Sequence, residues 1–341
     1  MFIPRKGEPE NQIGRPDQYV VYGWGRSYFT HKLTAALDYY NAKWEMRPKT
    51  AEVERELRLR SGTHQVPVLH TPENWMIADT TPLLRMLDAR FPDRVMFPDG
   101  ALGVLVHMVE EYFDEWIART TVHWRWNYPE NHEQLSLDAA YGDSELASRI
   151  AEWGVKVCRA TGVSSQQQQA AAEAEYRRIL DAVTTQLEQT PYLLGNRPCA
   201  VDCIVLAGLR AHFFHDPAPR KALYDAYPAV VAWVERGAAQ WDGKGQLEPF
   251  PEATSFARFV LSEMIGTYQP YVLGNRHALE KGDRAFVINV YGEAVSYLAR
   301  PYIEQSRRMI VDRIAGDLTT VDQASVRAWL EEVGLEKAFA A

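Results

Sequence analysis

The chain has 341 residues, a length that holds two domains and a full apolar core. Hydrophobic residues make up 46%, which excludes a disordered chain, and the net charge of -8 argues against nucleic acid or an anionic membrane surface as partner. No apolar run is long enough for a bilayer, the start MFIPRKGEPENQ lacks the apolar core of an export signal, and three cysteines are too few for a disulfide framework, so a cytoplasmic protein is expected.

Residues 1–18 are polar, carry Pro4, Pro9 and Pro16, and are expected as a loose arm. Tyr19 to Tyr22 reads as a strand and Gly23 to Ser27 as a turn. A helix then opens at Ser27, with Leu33, Ala36, Leu37 and Tyr40 on one side. Trp44 to Arg47 is a second strand, and Thr50 caps the helix AEVERELRLR, which stops at Gly62. The stretch His64 to Asp88 reads strand, turn, strand, helix, with Leu83, Leu84 and Leu87 as the apolar stripe of that helix. Pro67 forfeits a ladder hydrogen bond and belongs at a strand start or a sheet edge. A cis Val66–Pro67 bond would turn the Val66 backbone groups outward, where an extended peptide can pair with them. The helix start at Asp79-Thr80 offers N–H groups to a carboxylate. An edge strand closed by a trans proline, with Asp79 and Thr80 as a plain cap, remains the simpler alternative.

These elements make a small α/β domain over residues 19–92, with a parallel strand pair and a closing antiparallel hairpin. FPDRVMFPDG (91–100) is a linker. Residues 101–245 are expected to be all-helical: Ala101 to Trp126, Asp143-Ser144 to Gly162, a helix from Ser164-Ser165, the apolar CAVDCIVLAGLRAHFF, and YPAVVAWVERG, with loops at 127–141 and in PYLLGNRP. After a second linker, residues 246–341 read as a separate extension. It holds a helix from Thr254, a hairpin turning at Tyr291-Gly292, a helix through PYIEQSRRMIVDRI and a last helix from Val321. PYVLGNR at 270–276 echoes PYLLGNR at 191–197, but the flanks differ and the echo is read as chance.

The first 245 residues resemble a cytosolic glutathione transferase. QVPVLH resembles that family's cis-proline segment. IADTTPLLRMLDARFP resembles the stretch usually written glutamate-serine, apolar residues, tyrosine-leucine. YLLGNRPCAVDCIVL and YPAVVAWVER resemble the cap of the buried helix and the tail of the second domain. The resemblance implies a thioredoxin-like α/β domain followed by an all-α domain, here with an α/β extension of helices and a hairpin. It departs from the family pattern at Asp79-Thr80, which stands for the acidic-serine pair, and at Cys199, a poor cap whose acidic partner Asp202 is kept.

The resemblance also implies a site. Glutathione would be a co-substrate held by Gln65, Val66, Pro67, Asp79 and Thr80. In GWGRSYFTHK, Ser27 is the first choice for the hydroxyl that favours the glutathione thiolate, Tyr28 the second and Thr30 the third. Ser27 can equally be only a helix cap. Met108, Tyr112 and Trp116 fall at i, i+4 and i+8 and either line a pocket for a hydrophobic electrophile or form a core stripe. No cysteine lies near the first helix, so thiol transfer through an enzyme cysteine is not expected. Cys199 with Cys203, and His212 with His215, make poor metal sites, and no metal is expected. The implied activity is attack of glutathione thiolate on an apolar electrophile, in a homodimer without nucleic-acid or membrane partners. A non-enzymatic binding protein on the same fold and a glutathione-dependent isomerase stay open.

Overall fold

The computed structural model describes residues 13–140, 143–238 and 241–340. Most of the expected polar arm therefore lies outside the described residues. Its end is tied to the body, where Ile13 is buried and Arg15 donates to the Pro72 carbonyl at 2.6 Å.

Strand β1 (Tyr19–Gly23) is apolar and buried along its whole length, as suits a central strand covered on both faces. Helix α1 (Tyr28–Tyr39) follows, then β2 (Trp44–Pro48) parallel to β1, α2 (Ala51–Ser61), and the antiparallel strands β3 (Val68–His70) and β4 (Met76–Ile77). The sheet order is β2-β1-β3-β4, a thioredoxin-like arrangement. Only the part of QVPVLH beyond Pro67 enters the sheet, because the proline nitrogen has no hydrogen to give. Gly62 at φ 78° ends α2, and α3 (Thr80–Asp88) closes this unit with Leu83, Leu84 and Leu87 buried.

The next helices are α4 (Gly100–Glu111) and α5 (Ala118–Trp126), joined through a π-helical turn at Tyr112–Ile117. Residues 127–141, expected as a loop, instead contain α6 (Pro129–Ala139). Pro129 sits in its first turn, where a missing N–H costs nothing. Asn131 anchors the helix by donating to the Trp124 carbonyl at 2.5 Å and accepting from the Ala218 N–H at 2.9 Å. Helices α7 (Ser144–Ala160) and α8 (Gln166–Leu187) start at Asp143 and Ser165, whose side chains accept first-turn N–H groups. Helix α9 (Ala200–Gly208) is buried throughout and runs into a second π-helical turn at Leu209–Phe213; α10 (Pro217–Leu223) and α11 (Pro228–Arg236) follow. Asp202 repairs the poor cap at Cys199: its two oxygens accept the N–H groups of Leu193 and Cys199, each at 2.9 Å.

The C-terminal segment holds α12 (Ser255–Gly266), α13 (Tyr268–Lys281), a hairpin of β5 (Ala285–Val290) and β6 (Glu293–Leu298), α14 (Pro301–Gly316) and α15 (Thr320–Glu332). Tyr291 and Gly292 both have positive φ, 53° and 76°, as a two-residue hairpin turn requires. The segment packs on the helical part. Gln168 of α8 donates to the Val290 carbonyl at 3.0 Å, and the buried Glu111 of α4 accepts from Tyr268 at 3.1 Å and Ser306 at 2.6 Å. One main apolar core runs from Tyr19 to Phe339, with two small clusters beside it, around Val20 and Tyr22 and around Cys158 and Val163.

Candidate functional site

The loop after α2 and the start of α3 border one cavity of about 770 Å³. Gln65, Val66 and Pro67 stand on its wall with Asp79 and Thr80. The Val66–Pro67 peptide bond is cis, and the Val66 N–H and C=O have no backbone partner among the described residues. Asp79 has a φ of 72°, a region that non-glycine residues seldom occupy. Tyr302 of α14 donates to Asp79 Oδ1 at 2.8 Å. Burial pushes the Asp79 carboxyl above its usual range, and the Tyr302 hydrogen bond opposes that push. A backbone edge, a carboxylate and a helix N-terminus thus stand together, which suits a small peptide carrying both charges.

None of the three hydroxyls proposed on α1 lines this cavity. Ser27 accepts the Thr30 N–H at 3.3 Å and caps the helix, which leaves its own hydrogen free to donate. Tyr28 is buried in the core and donates to the Phe113 carbonyl at 3.2 Å; burial pushes its phenol well above the ordinary value. Thr30 is buried against the Gly23–Trp24 turn, where its hydroxyl accepts the Trp24 N–H at 3.4 Å. The residue of α1 on the cavity wall is Phe29.

The expected i, i+4, i+8 stripe is also divided. Met108 and Tyr112 are fully buried in the core, while Trp116 lines the cavity. The reason is the π-helical turn at Tyr112–Ile117, which shifts the register of the following face. It brings Asp114, Glu115 and Trp116 to the cavity, and Arg119 of α5 lines it as well. The carboxylates are held by two cations, the buried Lys32 and the partly exposed Arg300. Lys32 meets Glu110, Asp114 and the Thr81 hydroxyl, the last at 2.7 Å. Burial alone would lower the Lys32 ammonium, but Asp114 and Glu110 outweigh it and hold it above the usual value. One ammonium cannot balance two carboxylates in a dry site, so burial pushes Glu110 up to about 8 although Lys32 opposes it. Glu115 is pushed up by burial to about 7, against the pull of Arg300 at 3.3 Å.

The lining also includes residues not anticipated from sequence: Tyr271, Tyr297, Arg300 and Tyr302 of the C-terminal segment. Their contribution is non-local and carries no motif. The acidic run around Asp114 did carry a signal, since carboxylates inside an otherwise apolar helix need buried partners. Elsewhere, Cys199 and Cys203 are buried, with thiols that burial raises well above their usual range. His212 packs on Tyr28 and lies 3.4 Å from Asp216, while His215 faces the His31 ring. No group of three or more potential metal ligands occurs among the described residues, and no helix there is long and apolar enough to cross a membrane.

Two family models match the chain: "Glutathione S-transferase, N-terminal domain" over residues 21–95 and "Glutathione S-transferase, C-terminal domain" over residues 146–240. Among solved structures it is similar to a glutathione S-transferase from Rhodospirillum rubrum F11, with 14% identity, 66% of this chain and 89% of that chain covered, and a TM-score of 0.45. It is also similar to the β-etherase LigF from Sphingobium sp. strain SYK-6, with 16% identity, 66% and 96% covered, and a TM-score of 0.46. A third is a glutathione transferase family member from Pseudomonas fluorescens Pf-5 with two glutathione bound, with 14% identity, 67% and 92% covered, and a TM-score of 0.43. No curated protein matches significantly.

Proposed function

Because this chain belongs to the glutathione S-transferase family, we propose that its cavity binds glutathione and presents the thiolate to an apolar electrophile. The observation that carries this reading is the meeting of Gln65, Val66, Pro67, Asp79 and Thr80 in one cavity that is also lined by the aromatic rings of Phe29, Trp116, Tyr271 and Tyr297. Val66 would pair with the peptide backbone of the ligand. Asp79 would take its ammonium, and the first N–H groups of α3 beside Thr80 a carboxylate. The sulfur would then point toward the start of α1, which meets the cavity at Phe29; Ser27 lies off that wall, so its free hydrogen and the helix N–H groups would favour the thiolate only where the bound sulfur reaches past Phe29. Ser27 rather than Tyr28 carries the activating role in this proposal, since the Tyr28 hydrogen is already committed to Phe113.

The test is retention on immobilised glutathione, followed by conjugation assays on Ser27→Ala. The expected result is binding by both proteins and a loss of about 10- to 100-fold in rate for the variant. A full rate would remove Ser27 from the mechanism. The Tyr302 contact with Asp79 favours one other reading, a binding protein on this fold in which the C-terminal segment restrains the site. Glutathione bound without turnover of any electrophile would support it. The homodimer implied by the resemblance is carried forward as part of the proposal, with light scattering as its check.

A further inference from the structure

The inner end of the cavity holds donors without acceptors. Arg119 is 3% exposed and lines the cavity. Its Nη2 donates to Glu175 at 2.6 Å, but its Nε and Nη1 have no hydrogen-bond partner. Glu175 gives these two groups no bond: its Oε1 accepts from Tyr112, Trp116 and Tyr291, and its Oε2 from Arg119 Nη2 alone. Tyr297 is 2% exposed, lines the same cavity, and its hydroxyl is likewise unpartnered. Both side chains stand against Trp116, the Arg119 guanidinium carbon 4.4 Å and the Tyr297 ring centre 6.2 Å from its ring centre, and burial pushes the Tyr297 phenol up to about 12. Tyr297 therefore stays a donor at neutral pH. Buried donors on two side chains, none of them within hydrogen-bond reach of an acceptor of the chain, call for one from outside it.

The walls around these donors are aromatic. Trp116 meets Tyr271 edge-on at 5.4 Å between ring centres, and Tyr271 meets Tyr297 edge-on at 5.2 Å. The Arg119 guanidinium carbon lies over Trp116, 4.4 Å from its ring centre. The pairing of Arg119 with Glu175 leaves the corner close to neutral, so a second full negative charge gains little there. A neutral oxygen acceptor fits best.

We infer that Arg119 and Tyr297 form an oxygen-acceptor subsite, and that the second ligand of this cavity is an aromatic molecule whose neutral carbonyl docks there. The inference rests on the proposed reading of the cavity as a glutathione site and deepens it. If the ligand is a conjugated aryl ketone, the glutathione sulfur bonds to the β-carbon and the alkene electron pair moves onto the carbonyl oxygen. Arg119 and Tyr297 donate to that enolate oxygen, and a proton from water at the α-carbon restores the ketone.

The test compares benzophenone with diphenylmethane, which differ by the carbonyl alone, on the wild type and on Tyr297→Phe, with glutathione present. Removing an unpartnered hydroxyl leaves the fold and its melting temperature unchanged or slightly raised. The expected result is a loss of about 5- to 10-fold in benzophenone affinity and no change for diphenylmethane. The comparison within each ligand cancels the difference in their hydrophobicity. Unchanged benzophenone binding in the variant, an equal loss for both ligands, or no benzophenone binding by the wild type would overturn the subsite. Glutathione binding is measured separately by calorimetry. If glutathione fails to bind while the carbonyl preference holds, the reading of the cavity falls and the subsite stands.

Discussion

Asp79 concentrates the chemistry of one end of the cavity in a single residue. Its carboxylate is lifted by burial and held down by the Tyr302 hydroxyl. Tyr302→Phe removes that support, so Asp79 protonates at higher pH. The expected outcome is glutathione affinity that falls about 3-fold more than in the wild type between pH 7.5 and 5.5, read by calorimetry at both values. Glu110 gives a second test. Its carboxyl is raised to about 8, above its unfolded value, so the folded state binds more protons. Its stability contribution is complete below the unfolded value, near pH 4.5, and is lost as pH rises through about 8. Glu110→Gln removes that term. Denaturation at pH 5 and pH 8 should show the variant gaining on the wild type by a few kcal/mol at the higher pH. Equal slopes for the two proteins would mean that Lys32 keeps Glu110 ionised throughout.

At the scale of elements, PYLLGNR and PYVLGNR show how little seven residues decide. The first is a turn whose Gly195 N–H lies 3.5 Å from the Tyr192 carbonyl; the second lies inside α13. Flanks explain the difference. Pro198 and the cap at Cys199 follow the first copy, whereas good helix formers continue the second. The end of α7 also serves the cavity. Gly162 has φ 74°, and a Cβ there would lie 2.6 Å from the Tyr297 ring. Gly162→Ala should therefore cost more than about 2 kcal/mol in a urea melt, from strain and crowding together. A cost of about 1 kcal/mol or less would mean that the ring yields. The π-helical turn in the long helix is the other element of consequence, because it moves three consecutive residues onto the cavity. No periodicity argument at 3.6 residues per turn anticipates that extra residue.

Across the whole molecule, the C-terminal segment is part of the core and of the cavity wall. Glu111 depends on Tyr268 and Ser306, and Glu115 on Arg300. Cutting the segment away would leave buried carboxylates without donors and apolar helix faces exposed. Limited proteolysis under native conditions should therefore yield no stable fragment of residues 1–245. An intact, folded fragment of that length would refute the single-core description. The order of strands and helices, the helical part and the hairpin turn at Tyr291-Gly292 were legible in local pattern, through apolar runs, caps, turn residues and a proline that cannot join a ladder. The thioredoxin-like identity of the sheet and the grouping of Gln65 to Pro67 with Asp79 and Thr80 came from the family resemblance. Tertiary packing alone decided that Tyr28 is buried, that α6 forms, and that Tyr271, Tyr297, Arg300 and Tyr302 face the cavity. Those outcomes depend on which distant side chains meet, such as Tyr28 with Phe113 and Asn131 with Ala218, and such meetings are not written in the order of neighbours along one chain.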